Sequence, residues 1–140
     1  MNILKIFTEK RKIGNLGERA AARHLFKSGY RIIKKNYTAA GAEIDIIARK
    51  RDVLAFVEVK ARNIKHLGSF EARPASAVTP EKQRKIISTA SYFISRYNSE
   101  CRIRFDVIEV YLEDSKSGVK VKEIKHLTDA FNKNTAYSRQ

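Results

Sequence analysis

The chain has 140 residues, of which 43% are apolar, and this is enough to form the core of one domain. It carries 29 Lys and Arg residues against 15 Asp and Glu residues, a formal net charge of +14, so a polyanion such as nucleic acid is the expected partner. No apolar run approaches the roughly 20 residues of a membrane span and the N-terminus lacks a secretion signal, so we expect a cytoplasmic protein that does not enter a membrane.

The first half of the chain predicts a helix followed by three strands. After a basic lead-in over residues 1–13, the helix runs from Gly14 to Ser28, because "ERAAARHLF" is rich in helix formers and Gly29 stands where helices usually stop. The three predicted strands are Tyr30–Tyr37, Glu43–Ala48 and Val53–Arg62. The charged turn "RKRD" at 49–52 joins the last two strands into a hairpin.

The second half predicts a long loop, a helix and two strands. Residues 63–78 show no stable period, and loops of this length are often functional. A helix follows from Pro80 to near Asn98, with Thr79 as its N-cap. Strands are then predicted at Ile103–Leu112 and Val119–Lys125. The order is α-β-β-β-α-β-β, which predicts a single α/β domain over residues 14–131 and a polar, flexible tail over residues 132–140.

Acidic residues in the hairpin suggest a metal site. If Lys50 pairs with Val53, the antiparallel register places Asp45 opposite Glu58 and Glu43 opposite Lys60. Two directly opposed carboxylates destabilise a sheet unless a cation lies between them, and Mg²⁺ or Mn²⁺ with oxygen ligands would supply that charge. The alternative is that these residues form the solvated side of an ordinary hairpin.

Glu18 is a third candidate ligand. On a helix it shares one stripe with Ala21, Ala22 and Leu25, and a carboxylate on such an apolar stripe needs a partner or a metal. The alternative is that Glu18 lies in the first helical turn and stabilises the helix dipole. The sequence leaves both interpretations open.

Lys60 favours phosphodiester hydrolysis over other chemistry that uses paired carboxylates. Beside metal-binding acids, an ammonium group can orient or deprotonate water, or offset charge on a reacting phosphate. A glycosidase with two carboxylates explains neither the lysine nor the charge of +14. The pattern of an acid, any residue and a lysine is weak alone, and Asp45 on the preceding strand strengthens it.

Several segments together resemble a known family. They are "GNLGERAAARHLFKSGYRIIKKN", "EIDIIARK", "LAFVEVKAR", "AVTPEKQRKI" and "RFDVIEV". The hairpin resembles the PD-(D/E)XK nuclease superfamily, and the whole set is similar to the YraN-like family of bacterial proteins, which is regarded as endonuclease-like and related to Holliday-junction resolvases. The resemblance implies a restriction-endonuclease-like fold, in which helices flank a central mixed β-sheet.

The resemblance also implies roles for individual residues. Asp45 and Glu58 match metal-binding acids that also serve catalysis, and Lys60 matches the catalytic lysine. Glu18 is similar to a glutamate on the N-terminal helix of the resolvase branch, and Gln83 stands where related nucleases carry a polar helix residue near the site. The chain departs from the pattern at two positions, with Ala42 in place of the usual glycine and Ile44 in place of the superfamily's proline.

The leading hypothesis is an endonuclease, dependent on Mg²⁺ or Mn²⁺, that acts on DNA, with branched or damaged DNA as candidate substrates. The alternatives are a nucleic-acid-binding module that does not cut, and a basic adaptor for an acidic protein or the ribosome. A homodimer would suit a junction of two strands. The candidate phosphate contacts are Arg49, Lys50, Arg51, Arg62, Lys82, Arg84 and Lys85.

The remaining residues with metal-binding side chains show no ligand spacing. Three histidines are scattered along the chain, so we expect them to serve only packing or the surface. They are His24, His66 and His126. The single Cys101 excludes an internal disulfide and a cysteine-rich zinc site.

Overall fold

The computed structural model describes residues 2–66 and 78–138, in which helices flank a five-stranded mixed sheet. The elements in chain order are α1 (Ile3–Lys27), β1 (Arg31–Ala39), β2 (Ala42–Lys50), β3 (Val53–Asn63), a short 3₁₀ helix (Ile64–His66), α2 (Pro80–Ile94), β4 (Arg102–Ser115), β5 (Gly118–Phe131) and α3 (Lys133–Tyr137). The predicted α/β class and the order of its seven elements are confirmed. The rest of the predicted 63–78 loop, residues 67–77, lies outside the described residues.

The sheet has the spatial order β1-β2-β3-β4-β5. Strands β3 and β4 pair in parallel, and the other neighbours pair antiparallel. Helix α2 lies between β3 and β4 in the chain, as a parallel connection requires. The central strand β3 is buried without interruption from Val53 to Glu58, because helices cover both faces of the sheet.

One core forms on each face. On the α2 face, Phe56 of β3 packs with Phe93 of α2 and Phe105 of β4. On the other face, Ala21 and Leu25 of α1 are buried against the small and β-branched residues of β2, β3 and β4. The two helices therefore lie on opposite sides of the same central strands, so a site at the end of those strands is within reach of both.

Helix α1 is longer than predicted. It begins at Ile3 with Asn2 as its N-cap, whose side chain accepts a hydrogen bond from Leu4 N. The predicted helix start at Gly14 is therefore wrong, and the basic lead-in is part of the helix. That segment contains no proline, and Gly14 lies inside the helix facing open space, where glycine weakens a helix without ending it.

The C-terminal segment is also more ordered than predicted. Asn132 caps the short helix α3 through a capping box with Thr135, and Ala136 is buried against α2. The described part of the predicted 132–140 tail therefore belongs to the domain. Helix α2 ends at Ile94 rather than near Asn98, and β4 and β5 extend beyond their predicted bounds.

The hairpin register is confirmed at the turn and changes further on. Strands β2 and β3 pair from Lys50 and Val53 as far as Ile46 and Val57, as the turn predicts. The ladder then stops, so that Asp45 and Glu58 follow its last pair.

The predicted pairing of Glu43 with Lys60 is wrong. In the sheet, Glu43 instead lies opposite Thr38 of β1, and Lys60 lies opposite Glu109 of β4. The prediction assumed that β2 and β3 pair along their whole length, whereas their ladder ends at Ile46 and Val57. A gap between two central strands is therefore available to polar side chains.

Two of the three histidines meet in a buried ionic network. His24 Nε2 lies 3.3 Å from His126 Nδ1, and His126 Nε2 lies 2.8 Å from Oδ2 of the fully buried Asp106. Arg104 donates two hydrogen bonds to the same carboxylate. This network ties α1 to β4 and β5, which is consistent with the packing role expected for these histidines.

Candidate functional site

The candidate site begins where β2 leaves β3. The carboxylate of Asp45 turns toward β3, and its Oδ2 accepts a hydrogen bond from Val59 N at 2.7 Å. Ile44 and Ile47, three positions apart, both belong to the α2-side core, so strict two-residue alternation fails around Asp45. The side chain satisfies a backbone donor that the missing ladder would have bonded.

Glu18 reaches the same gap from α1. The buried stripe predicted around Ala21 and Leu25 is confirmed, and Glu18 is partly buried on it. Since α1 begins at Ile3, Glu18 lies in the helix interior, and the alternative role at the helix N-terminus is wrong. The neighbouring Gly17 lets the helix approach β3 closely enough for Glu18 to enter the site.

Glu43 completes a cluster of three carboxylates. Glu18, Glu43 and Asp45 each offer one oxygen, and these oxygens lie within 4.8 Å of one another. With its amide nitrogen oriented toward the acids, Asn36 of β1 donates to Glu43 Oε1 and Glu18 Oε2, both at 3.2 Å. Asn36 has a φ of 52°, a left-handed conformation that asparagine tolerates better than most residues.

The cluster shifts the ionisation of its members. Burial, with the negative charge of Glu58 next in importance, raises the pKa of Asp45 to about 7, although the hydrogen bond from Val59 opposes the shift. Burial and the charges of Glu43 and Glu58 also raise the pKa of Glu18. The ionised cluster is thus destabilised without a cation.

Glu58 is neutralised by a lysine of α2. Its Oε1 lies 2.6 Å from Nζ of Lys82, and the carboxylate is only 8% exposed. Lys82 lies in the first turn of α2, where its backbone N–H donates to the N-cap Thr79. The acid and the lysine therefore come from elements that only the tertiary fold brings together.

A cavity of about 600 Å³ opens beside the acids. Glu18, Asp45 and Glu58 contribute to its wall. Its basic lining residues are Lys10, Lys60, Arg62 and Lys82. Burial, followed by the charge of Lys82, lowers the pKa of Lys60, so this amine gives up a proton more readily than an exposed lysine. The cavity therefore combines carboxylates, an amine with a lowered pKa and cationic side chains that suit phosphate.

The donor set fits a hard divalent cation. All three clustered ligands are carboxylate oxygens, which suit Mg²⁺ or Mn²⁺ better than a softer metal. In an octahedral site with bonds of about 2.1 Å, opposite oxygens lie about 4.2 Å apart and adjacent ones about 3.0 Å apart, so oxygens within 4.8 Å of one another would move inward to share one ion. Glu18, Glu43 and Asp45 would hold the ion, with Glu58 adjacent.

The predicted basic contacts divide into two groups. Arg62 and Lys82 line the first cavity, and Lys82 and Lys85 line a second cavity of about 490 Å³ on the other side of Asp45 and Glu58. The hairpin-turn residues lie at the other end of β2, some five positions or roughly 17 Å from Asp45. These are Arg49, Lys50 and Arg51.

Two of the predicted basic residues, one in each part of the chain, bond to the fold itself. Arg49 donates to Tyr97, Ser99 and Glu100, and Arg84 donates to Ala136 O in α3.

Gln83 was expected near the reacting groups, and its contacts lie elsewhere. Its amide nitrogen donates to Val78 O at 2.7 Å and its oxygen accepts from Thr135 Oγ1 at 2.7 Å. The side chain is buried and fastens the start of α2 to α3. The structure therefore contradicts its placement at the site, because the polar face of α2 that meets the acids is the face of Lys82.

Three residues at the site escaped the sequence interpretation as ligands or contacts. The predicted register paired Glu43 with Lys60. Glu43 is two positions from Asp45 in the same strand, however, and this spacing already indicated that the two side chains lie on one face of the sheet. Asn36 gave one signal, an asparagine within a run of strand formers. Lys10 gave none, since its position depends on the extension of α1 beyond the sheet.

Among the residues that the structure describes, no helix is long and apolar enough to cross a membrane.

Comparisons with known proteins give a consistent family assignment. The sequence profile of the uncharacterised protein family UPF0102 matches residues 17–110, which include Glu18, Glu43, Asp45, Glu58, Lys60 and Lys82. The chain is 43% identical over 122 residues to a UPF0102 protein of Chlorobium phaeobacteroides strain BS1, covering 85% of this chain and 93% of the relative. It is 38% identical over 123 residues to one of Caldanaerobacter subterraneus, covering 87% and 96%.

A third relative, from Clostridioides difficile, is 43% identical over 120 residues, which cover 84% of this chain and 95% of the relative. The similarity therefore extends over nearly the whole length of these relatives, and the acids and the lysine all lie within the matched region. The chain belongs to the UPF0102 (YraN) family.

Proposed function

We propose that this protein is a nuclease that hydrolyses phosphodiester bonds in DNA with Mg²⁺ or Mn²⁺. The observation that carries the proposal is the convergence of three carboxylates, Glu18, Asp45 and Glu58, from α1, β2 and β3 with Lys60 in one cavity. Glu43 clusters with Glu18 and Asp45 beside it. The basic lining of that cavity and the net charge of +14 support a polyanionic substrate. The superfamily that the hairpin resembles uses residues of these types for the same chemistry.

The position of each residue indicates its role in the proposed reaction. Glu18, Glu43 and Asp45 would hold the ion, which when bound polarises a phosphate and lowers the pKa of a coordinated water. Lys60 shares the cavity with Glu18 and Asp45, and its lowered pKa suits an amine that takes a proton from the attacking water. Lys10 and Arg62 also line the cavity, where they would contact phosphates of the DNA.

A specific observation also favours the module that binds without cutting. Lys82 neutralises Glu58 at 2.6 Å, as a purely structural ion pair would. In that case the basic cavity would retain affinity for DNA while the acids served stability.

The decisive experiment uses labelled duplex, flap and four-way-junction DNA with Mg²⁺ or Mn²⁺. We expect wild type to cut at least one of them, and Asp45→Asn and Lys60→Met to lose cutting while still binding DNA. Glu113→Gln is the matched control, since Glu113 pairs with Lys120 and Lys122 on the β4–β5 hairpin. Cutting by both site variants would overturn the proposal, and binding without cutting by wild type would favour the module.

A further inference from the structure

The ion pair between Glu58 and Lys82 has unequal partners. Glu58 is 8% exposed on a sheet strand, whereas the side chain of Lys82 is 50% exposed on a helix. A buried carboxylate needs a positive partner, because leaving its charge unpaired in the protein interior is strongly destabilising. The flexible ammonium stem of lysine, by contrast, can leave for another anion at small cost.

This pair stands between the two cavities. Asp45, Glu58 and Lys82 line both of them. The first cavity adds the basic residues Lys10, Lys60 and Arg62, and the second adds Glu43 and the start of α2. Movement of Nζ away from Glu58 would expose that carboxylate to the cluster of Glu18, Glu43 and Asp45 while keeping the ammonium at the edge of the basic cavity.

We propose that Lys82 is an internal counter-ion that competes with the divalent metal for Glu58. A phosphate of the nucleic acid draws Nζ away and frees Glu58, so DNA and metal bind cooperatively. This inference rests on the proposed function and adds a positioning role for one residue. Since Nζ at 2.6 Å neutralises the charge of Glu58, removing the ammonium leaves a full negative charge beside the cluster and should favour the metal.

Thermodynamic linkage makes the proposal measurable without any cleavage. If DNA raises the affinity for metal, then metal raises the affinity for DNA by the same factor. Both effects should depend on the charge and reach of the side chain at position 82. An ordinary phosphate contact would instead lower DNA affinity on removal and leave metal affinity unchanged.

The test is a calorimetric titration of Mn²⁺ into the full chain, with and without duplex DNA whose phosphorothioate linkages resist hydrolysis. Lys82→Met removes the charge at similar length, and Lys82→Arg keeps it. Lys120→Met is the matched control, because Lys120 also forms an ion pair, with Glu113 at 3.5 Å, and lines neither of the two cavities.

Without DNA, Lys82→Met should bind Mn²⁺ about tenfold more tightly than wild type, within the range usual for coupled sites. DNA should tighten Mn²⁺ binding about fivefold or more in wild type and Lys82→Arg, and leave Lys82→Met unchanged. Lys120→Met should behave as wild type does.

Two results would overturn the inference, and only one of them would also overturn the nuclease proposal. Equal or weaker Mn²⁺ binding by Lys82→Met, with wild type still binding, would remove the counter-ion role and leave the nuclease proposal intact. No Mn²⁺ binding by wild type in either condition would remove both.

Discussion

Gly17 of α1 faces the methyl group of Ala61 on β3 so closely that a Cβ built on Gly17 would overlap it. Overpacking a tight contact costs about 1–3 kcal/mol, so we expect Gly17→Ala to lower the free energy of unfolding by that amount. The shifted helix should also weaken Mn²⁺ binding through Glu18. Urea denaturation and calorimetry measure the two effects.

Two further variants control this prediction. Ala61→Gly in the Gly17→Ala background removes the opposing methyl group and should restore both properties. Gly14→Ala lies on the same helix in open space, so it should stabilise the protein by up to about 1 kcal/mol. A destabilised Gly14→Ala, or a Gly17→Ala as stable as wild type, would contradict the close packing.

The raised pKa of Asp45 predicts that the metal-free protein loses stability as pH rises. The folded protein holds this proton up to about pH 7, whereas a carboxyl with its ordinary pKa of 3.8 has lost it in the unfolded chain. Because the folded state binds more protons in this window, the free energy of unfolding falls between pH 4 and about pH 7 and stays low above it.

Asp45→Asn removes that titration and keeps an oxygen for the hydrogen bond from Val59. We expect its thermal unfolding temperature to fall less than that of wild type between pH 4 and pH 8, measured with EDTA present. Parallel pH profiles for the two proteins would show that the carboxyl is not perturbed. Metal affinity of wild type should also decline below pH 7, since a ligand must lose its proton first.

Glu43 is predicted to be a metal ligand, although the strand register predicted from the sequence placed it opposite Lys60. Its oxygen lies within 4.8 Å of those of Glu18 and Asp45, and metal affinity depends on the number of charged ligands. Glu43→Gln should therefore weaken Mn²⁺ binding by about tenfold or more. Glu81→Gln, on the first turn of α2, should bind as wild type does; equal losses in both variants would indicate a general charge effect.

Asp106 should be essential for stability and unrelated to metal. Burial alone would raise the pKa of its carboxyl, but hydrogen bonds from His126 and Arg104 outweigh this and hold the pKa below its ordinary value. Asp106→Asn should cost about 3–5 kcal/mol, because it breaks a pair whose carboxylate is fully buried and leaves the partly buried cation of Arg104 without its charged partner.

Chemical denaturation measures this loss, and Mn²⁺ titration of the folded fraction should give wild-type affinity. A change of less than about 1 kcal/mol would mean that the network is not a structural anchor. The low folded-state pKa also gives the sign for wild type: the stability contributed by Asp106 is present above pH 4 and is lost as pH falls.

Lys10 and Arg49 should differ in their effects on DNA binding. Lys10 lines the acid-containing cavity, whereas Arg49 is engaged by Tyr97, Ser99 and Glu100. Lys10→Met should weaken DNA binding and reduce the slope of log affinity against log salt by about 0.9, the value for one phosphate contact. Arg49→Met should lower thermal stability and leave that slope unchanged; the reverse pattern would place the DNA on the hairpin turn.

Local pattern was sufficient for most of the fold. The spacing of apolar residues, Thr79 before Pro80 and the charged turn at 49–52 predicted each of the seven elements and their order, because these signals act over a few residues. The turn also gave the correct pairing as far as Ile46 and Val57. Asp45, Glu58 and Lys60 could be proposed as one site from that register and from the family resemblance.

The composition of the site was decided by long-range packing. Because the ladder between β2 and β3 ends before Glu43 and Lys60, Glu43 lies with Glu18 and Asp45 instead. The close contact of Gly17 with β3 places the neighbouring Glu18 beside these acids. Lys82 was predicted on the surface of α2, and only the placement of that helix against β3 joined it to Glu58.

The bounds of the helices were also predicted only in part. The start of α1 at Ile3 and the capping of α3 by Asn132 were missed. The first turns of α1 are exposed and are capped locally by Asn2, whereas the short α3 packs on the rest of the domain through Ala136. The sequence by itself determined the elements and the chemical character of the site. The tertiary structure decided which acids share a cation and which lysine neutralises them, since those contacts join residues far apart in the chain.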